Sequence, residues 1–127
     1  MKITTFYATE SGESRFGEVT IDLDLERIDD FGHHIFCSAP YESPAVQLVQ
    51  LPADLDQDFH NAPARQLVVV LSGRVEVETT DGESRQWRAG DIFMPADVSG
   101  RGHRTRTLDG PALVLFAPLP DDFAVEV

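Results

Sequence analysis

Between His60 and His103 the chain is cut into short apolar or alternating runs by tight-turn signals, a rhythm that favours strands over helices. The run Leu67-Val68-Val69-Val70-Leu71 is wholly apolar and stops at Ser72-Gly73. Arg74 to Glu78 then alternates, with Val75 and Val77 facing one way and Arg74, Glu76 and Glu78 the other. Ser72-Gly73 is expected to fold these two runs into a hairpin. Asp81-Gly82 is a stronger hairpin signal, because the central positions of such a turn favour residues tolerant of positive φ. Ser84 to Trp87 pairs back, Gly90-Asp91 turns again, and Ile92 to Pro95 leads into a loop that closes at His103. His60, Gln66 and His103 are thus carried by short strands, which suits a small β-barrel with a polar cluster in its mouth.

The flanks obey the same grammar. Residues 3–7 form a first short strand and Glu10 to Ser14 a loop. Val19 to Leu25 alternates strictly, predicting one half-buried strand with Val19, Ile21, Leu23 and Leu25 inside. Asp29 to Gly32 is a turn, and His34 to Cys37 and Val46 to Leu51 are strands stopped by prolines. Asp109-Gly110 predicts a turn before a last strand at Pro111 to Ala117, followed by an acidic tail that is mobile or packs on a partner. No segment sustains a 3.6-residue apolar period, so the chain is expected to be an all-β barrel or sandwich.

At 127 residues the chain fits one domain, residues 1–127, with N-terminal strands at 3–38 and a barrel core at about 45–117. The longest aliphatic run is five residues, too short for a bilayer, and the N-terminus lacks an apolar signal region. The single cysteine, Cys37, cannot form an internal disulfide. A cytoplasmic protein is expected. The net charge of -12 argues against nucleic acid and against an anionic membrane surface. The bases collect in the half that carries the histidines: residues 1–60 hold 3, and residues 61–127 hold 7.

The region about 45–117 resembles the cupin superfamily of small jelly-roll barrels, whose motifs are G-x5-H-x-H-x3-4-E-x6-G and G-x5-P-x-G-x2-H-x3-N. His60 matches the first histidine, Ala62 stands at the second, Gln66 takes the glutamate position and Gly73 matches the closing glycine. Asp54 replaces the leading glycine. In the second motif Gly90 matches, Pro95 comes one residue early and His103 two residues late. The phrase His-x-Ala-Pro-x-Arg-Gln is similar to that of small stand-alone cupins with a degenerate metal motif. The resemblance implies a single cupin jelly-roll β-barrel and a homodimer, with residues 3–7 as the segment that crosses to the partner.

Carried over residue by residue, the resemblance implies that His60, Gln66 and His103 bind Fe, Mn, Ni or Zn. The alternative is a lost metal site, because Gln66 is neutral and Ala62 is no ligand. Histidines in a partly dry cavity still move protons, with Gln66 orienting one or binding a substrate carbonyl. Parity puts His103, Thr105 and Thr107 on one face and Arg104 and Arg106 on the other, paired with acids. Arg101, in the loop, is a candidate for binding a carboxylate substrate. Phe59 and Arg65 should point away from the cavity, Trp87 should fill the core, and only one of Phe93 and Met94 should line the cavity. His33, His34 and Cys37 fit a surface turn with a buried cysteine better than a zinc site.

The expectation is therefore a cupin with a small-molecule pocket in the barrel mouth. It would be an isomerase, lyase or oxygenase with His60 and His103 catalytic, or a non-catalytic binding or sensing module, or a structural dimer with a vestigial pocket.

Overall fold

A computed structural model describes residues 1–121 and residue 123; the remainder of the acidic tail lies outside the described residues. The described residues form nine strands: β1 (Lys2–Ala8), β2 (Ser14–Thr20), β3 (Leu25–Ile28), β4 (His34–Cys37), β5 (Gln47–Leu51), β6 (Gln66–Glu78), β7 (Ser84–Arg88), β8 (Ile92–Pro95) and β9 (Arg104–Pro118). Among the described residues no helix is long and apolar enough to cross a membrane. Seven strands make one sheet in the order β2-β1-β8-β6-β9-β5, with β7 on the far half of β6, while β3 and β4 form a separate hairpin. Only the β1–β8 pairing is parallel. Phe6, Val68, Val75, Phe93 and Val114, from four of these strands, pack into one cluster, so the sheet closes around a common interior as the expected all-β jelly roll.

The two longest strands, β6 and β9, each correct a sequence expectation. Ser72-Gly73 is not a hairpin turn, because β6 runs unbroken through it and both halves pair with β9, Val68 opposite Phe116 and Val75 opposite Thr107. The register slips between Val70 and Arg74 instead. That slip has a clear use. Val68 and Val70 are even-numbered and Val75 and Val77 odd-numbered, yet all four are buried in the same core. An extra residue in one strand resets the two-residue side-chain period and keeps both halves facing inward. Gly73 makes this possible with φ at 80°. A Cβ there would stand 2.4 Å from the Pro111 carbonyl oxygen and 2.8 Å from Ala112 Cα. Asp109-Gly110 is likewise no turn; β9 passes through both, at φ of 61° and 121°.

One N-terminal expectation also changes. Val19 to Leu25 is not one strand. Val19 and Ile21 join Ile3, Met94 and Leu119 in a second buried cluster, but Leu23 and Leu25 are exposed. The chain leaves the sheet after Thr20, so the alternation continues with no core to face. Within the chain, β1 pairs with β2 on one side and β8 on the other. On the β3–β4 hairpin, His33 and His34 are exposed and pair with Asp29 and Glu26, and Cys37 is half-buried. Arg65 points away from the interior and donates to the carbonyls of Asp121 and Phe123 at 2.7 and 2.9 Å.

Gly73→Ala must therefore strain the backbone and displace β9, whereas Gly82→Ala meets open space at a similar φ of 83°. Urea unfolding should show the first costing at least about 2 kcal/mol and the second about 1 kcal/mol. Equal losses would mean that the close approach to Pro111 does not matter.

Candidate functional site

A cavity of ≈ 370 Å³ opens between β5, β6, β8 and β9. Its floor is apolar: Val49, Val68, Val75, Phe93, Val114 and Phe116. Its polar groups are His60, Gln66, His103, Asn61, Thr105 and, at the rim, Gln47 and Gln57. A small apolar hollow with a few convergent polar groups is the usual form of a small-molecule site. The three residues singled out from sequence therefore share one cavity.

The two histidines are held by backbone. His60 N–H donates to His103 O at 3.0 Å and His103 N–H to His60 O at 2.9 Å, an isolated antiparallel bridge that sets the rings 4.5 Å apart. Gly102 permits this approach. Its φ is 79°, and a Cβ there would lie 2.0 Å from the His60 carbonyl oxygen. The loop before His103 is braced from behind. The buried Ser14 hydroxyl donates to Gly102 O at 2.7 Å, Arg101 N–H to Gly12 O at 2.8 Å, and Ala96 N–H to Phe6 O at 2.9 Å. The first hairpin of the chain thus supports the last histidine, a role its loop-like sequence does not display.

Each imidazole is fixed through Nδ1. His60 Nδ1 meets the Asp58 carbonyl at 2.8 Å, so that nitrogen carries the proton. His103 Nδ1 meets Asp97 Oδ2 at 2.6 Å, and the ring packs on Phe6 at 4.7 Å between centroids. Among the described residues neither Nε2 has a hydrogen-bond partner. Asp97 is fully buried, and its Oδ1 has no hydrogen-bond partner. Burying a carboxylate with one oxygen unpaired is costly, and such a group is held by its partner. Sequence analysis missed Asp97. Its sole signal is an acid directly following the largely apolar Ile92 to Ala96, six residues before His103.

The remaining expected residues divide cleanly. Arg101 does not line the cavity; it forks onto Glu13 at 2.9 and 3.2 Å with its side chain largely exposed. Arg104 pairs with Asp56 at 2.8 Å, and Arg106 pairs with Glu78 and with Glu76 at 3.5 Å, both on the outer face. Thr105 lines the cavity, while Thr107 is buried and bonds Pro52 O and Leu55 N. Phe93 lines the cavity and Met94 faces the second cluster. Trp87 stacks on Phe93 at 4.3 Å in the core. Phe59 lies outside the cavity between Arg101 and Arg104.

The donor set does not fit a resident divalent metal. Among the described residues its wall offers two imidazoles and one weakly ligating amide, short of the three or more strong donors of the usual transition-metal site. Among the described residues no three His, Cys, Asp or Glu side chains are grouped to hold a metal ion.

No family model matches the chain. By sequence the chain is similar to the dimethylsulfoniopropionate lyase DddQ of Ruegeria pomeroyi, 36% identical over 75 residues that cover 58% of this chain and 36% of that protein. By structure it is similar to the crystal structure of that lyase, with a TM-score of 0.52 and 28% identity over 81% of this chain and 49% of the other. The fold is that of a small cupin. A cupin protein from Bacteroides fragilis is 19% identical, with a TM-score of 0.49 over 86% of this chain and 87% of that one. The chain spans about a third of the length of the curated lyase it matches.

Hydrogen bonds from the Thr80 hydroxyl and then from Arg101 hold the Glu13 carboxyl below its ordinary value of 4.5. A depressed folded value means that its contribution to stability is present above the unfolded value and is lost as pH falls through the folded one. In Arg101→Gln, carboxyl-carbon NMR should show Glu13 titrating closer to the ordinary value, with the His60 and His103 ring signals unmoved. Movement of the ring signals would bring Arg101 back into the cavity.

Proposed function

We propose that this cupin moves a proton on the carbon beside a carbonyl group of a small molecule, as an isomerase or a lyase. The observation that carries the reading is the buried Asp97–His103 hydrogen bond at the wall of the cavity. A carboxylate behind Nδ1 fixes the tautomer that presents Nε2 as a base, and it offsets the charge that develops when Nε2 takes a proton.

In the proposed step His103 Nε2 removes the proton and the C–H electron pair moves toward the carbonyl. The Gln66 side-chain N–H donates to the carbonyl oxygen as negative charge builds there. In the isomerisation of a β,γ-unsaturated carbonyl compound His103 returns the proton to the γ-carbon, as the double bond moves into conjugation with the carbonyl. In an elimination the electron pair forms a carbon–carbon double bond, and the substituent on the next carbon leaves with its bonding pair. His60, its own Nδ1 proton held by Asp58, offers a lone pair at Nε2 that can take the proton onward. The similarity to a protein named as a lyase agrees with the second branch. His60 and His103 are the proposed catalytic residues, Gln66 the proposed substrate-binding residue and Asp97 the positioning residue.

The test is deuterium incorporation from heavy water into small ketones and aldehydes, followed by proton NMR. Wild-type protein should accelerate exchange at the carbon beside the carbonyl, and His103→Gln should lower that rate by about 10²- to 10⁴-fold. Nitrogen-15 spectra should show His103 protonated at Nδ1 in the wild type, with that preference lost in Asp97→Ala. Exchange no faster than buffer across the panel would favour a non-catalytic binding module.

Elemental analysis of untagged protein bears on the metal. It should find Fe, Mn, Ni and Zn well below one per chain, with no change in His60→Ala. One equivalent that disappears in His60→Ala would replace the acid–base reading with a metal-assisted one.

A further inference from the structure

The cavity wall is unusual in what it lacks. Among the described residues none that lines it is Lys, Arg, Asp or Glu. The nearby arginines are committed elsewhere: Arg101 to Glu13, Arg104 to Asp56, and Arg106 to Asp56, Glu76 and Glu78. The chain carries a net charge of -12, so the field of the whole molecule disfavours an incoming anion. The buried charge beside the cavity, Asp97, has the same sign as a carboxylate ligand and is already matched to His103.

What the wall supplies instead is amides. Gln66 is 93% buried, yet its side chain makes no hydrogen bond among the described residues. Its amide atoms open onto the cavity, where they are available to a ligand. An amide can both donate to and accept from its partner, and Gln47 and Gln57 repeat that chemistry at the rim. Below them the floor is branched aliphatic and aromatic.

We infer that the cavity takes an uncharged carbonyl compound, an amide or ketone bearing a compact apolar group, and discriminates against the corresponding carboxylate. The carbonyl meets Gln66, and the apolar group lies on Val68, Val75, Val114 and Phe116. A carboxylate in the same place would lose its hydration without gaining an arginine or lysine. The inference rests on the proposed proton-transfer site being the working site, and it names the substrate class for that site. It departs from the carboxylate substrate that Arg101 had suggested from sequence.

The test uses cyclohexanecarboxamide and cyclohexanecarboxylate, which share a skeleton and differ in charge. Each is titrated into the full chain at neutral pH and physiological salt, with amide and ring signals followed by NMR. The carboxamide should shift the Gln66 and His103 signals and bind at least roughly tenfold more tightly than the carboxylate, equivalent to about 1.4 kcal/mol. Gln66→Leu should lower carboxamide affinity by about tenfold and leave the carboxylate unchanged. Equal or tighter carboxylate binding overturns the inference, as does a carboxamide that shifts no cavity signal. Carboxamide selectivity without deuterium exchange of any ketone would leave this inference standing and remove the proton-transfer reading alone.

Discussion

The pairing of β6 with β9 is the constraint on which the rest of the molecule depends. These two strands meet along nearly their whole lengths, from Gln66 opposite Pro118 to Glu78 opposite Arg104. One end of β6 places Gln66, and one end of β9 follows directly from His103. The irregularities at Gly73 and at Asp109-Gly110 lie in the middle of the two strands and bend them together, and β5 and β7 then add to their free sides. Without the slip, the halves of β6 would present their valines to opposite faces. The cavity would then have a floor on one side and solvent on the other.

The second determinant is a buried charge. Asp97 sits where a carboxylate is costly, and its cost is offset through a single hydrogen bond to His103. Burial alone would make this a liability. Its placement behind an imidazole that lines an apolar cavity gives it chemical meaning, because the ring then offers a base with a defined tautomer and orientation. His60 completes the arrangement through the backbone bridge, which sets its ring 4.5 Å from that of His103.

The architecture was legible in the sequence to a large degree, and the reasons are local. Asp81-Gly82 identified its hairpin because that dipeptide favours a tight turn, and Val75 and Val77 identified an inward face by alternation. Ser72-Gly73 and Asp109-Gly110 misled for one shared reason. A glycine at positive φ serves a turn or a bulge equally well, and only the partner strand decides between them. Leu23 and Leu25 misled because alternation records a potential face and not whether a core lies beneath it. His60, Gln66 and His103 were brought together as expected, since parity along strands survives a two-residue delay. Asp97 was invisible because nothing in a short loop says that its acid will be buried. Arg101 was misplaced because a loop arginine near a histidine points as readily to a surface glutamate as to a ligand.

The backbone bridge between His60 and His103 has a mechanical consequence. The two segments are stapled at one point by a reciprocal pair of hydrogen bonds, and Gly102 leaves no gap between them. Neither ring can retreat from the cavity by loop motion without dragging the other. The imidazoles thus behave as one rigid jaw, hinged on the loop that the first hairpin braces. Opening of this mouth would be an all-or-none event that removes both nitrogens together rather than a gradual loosening of either.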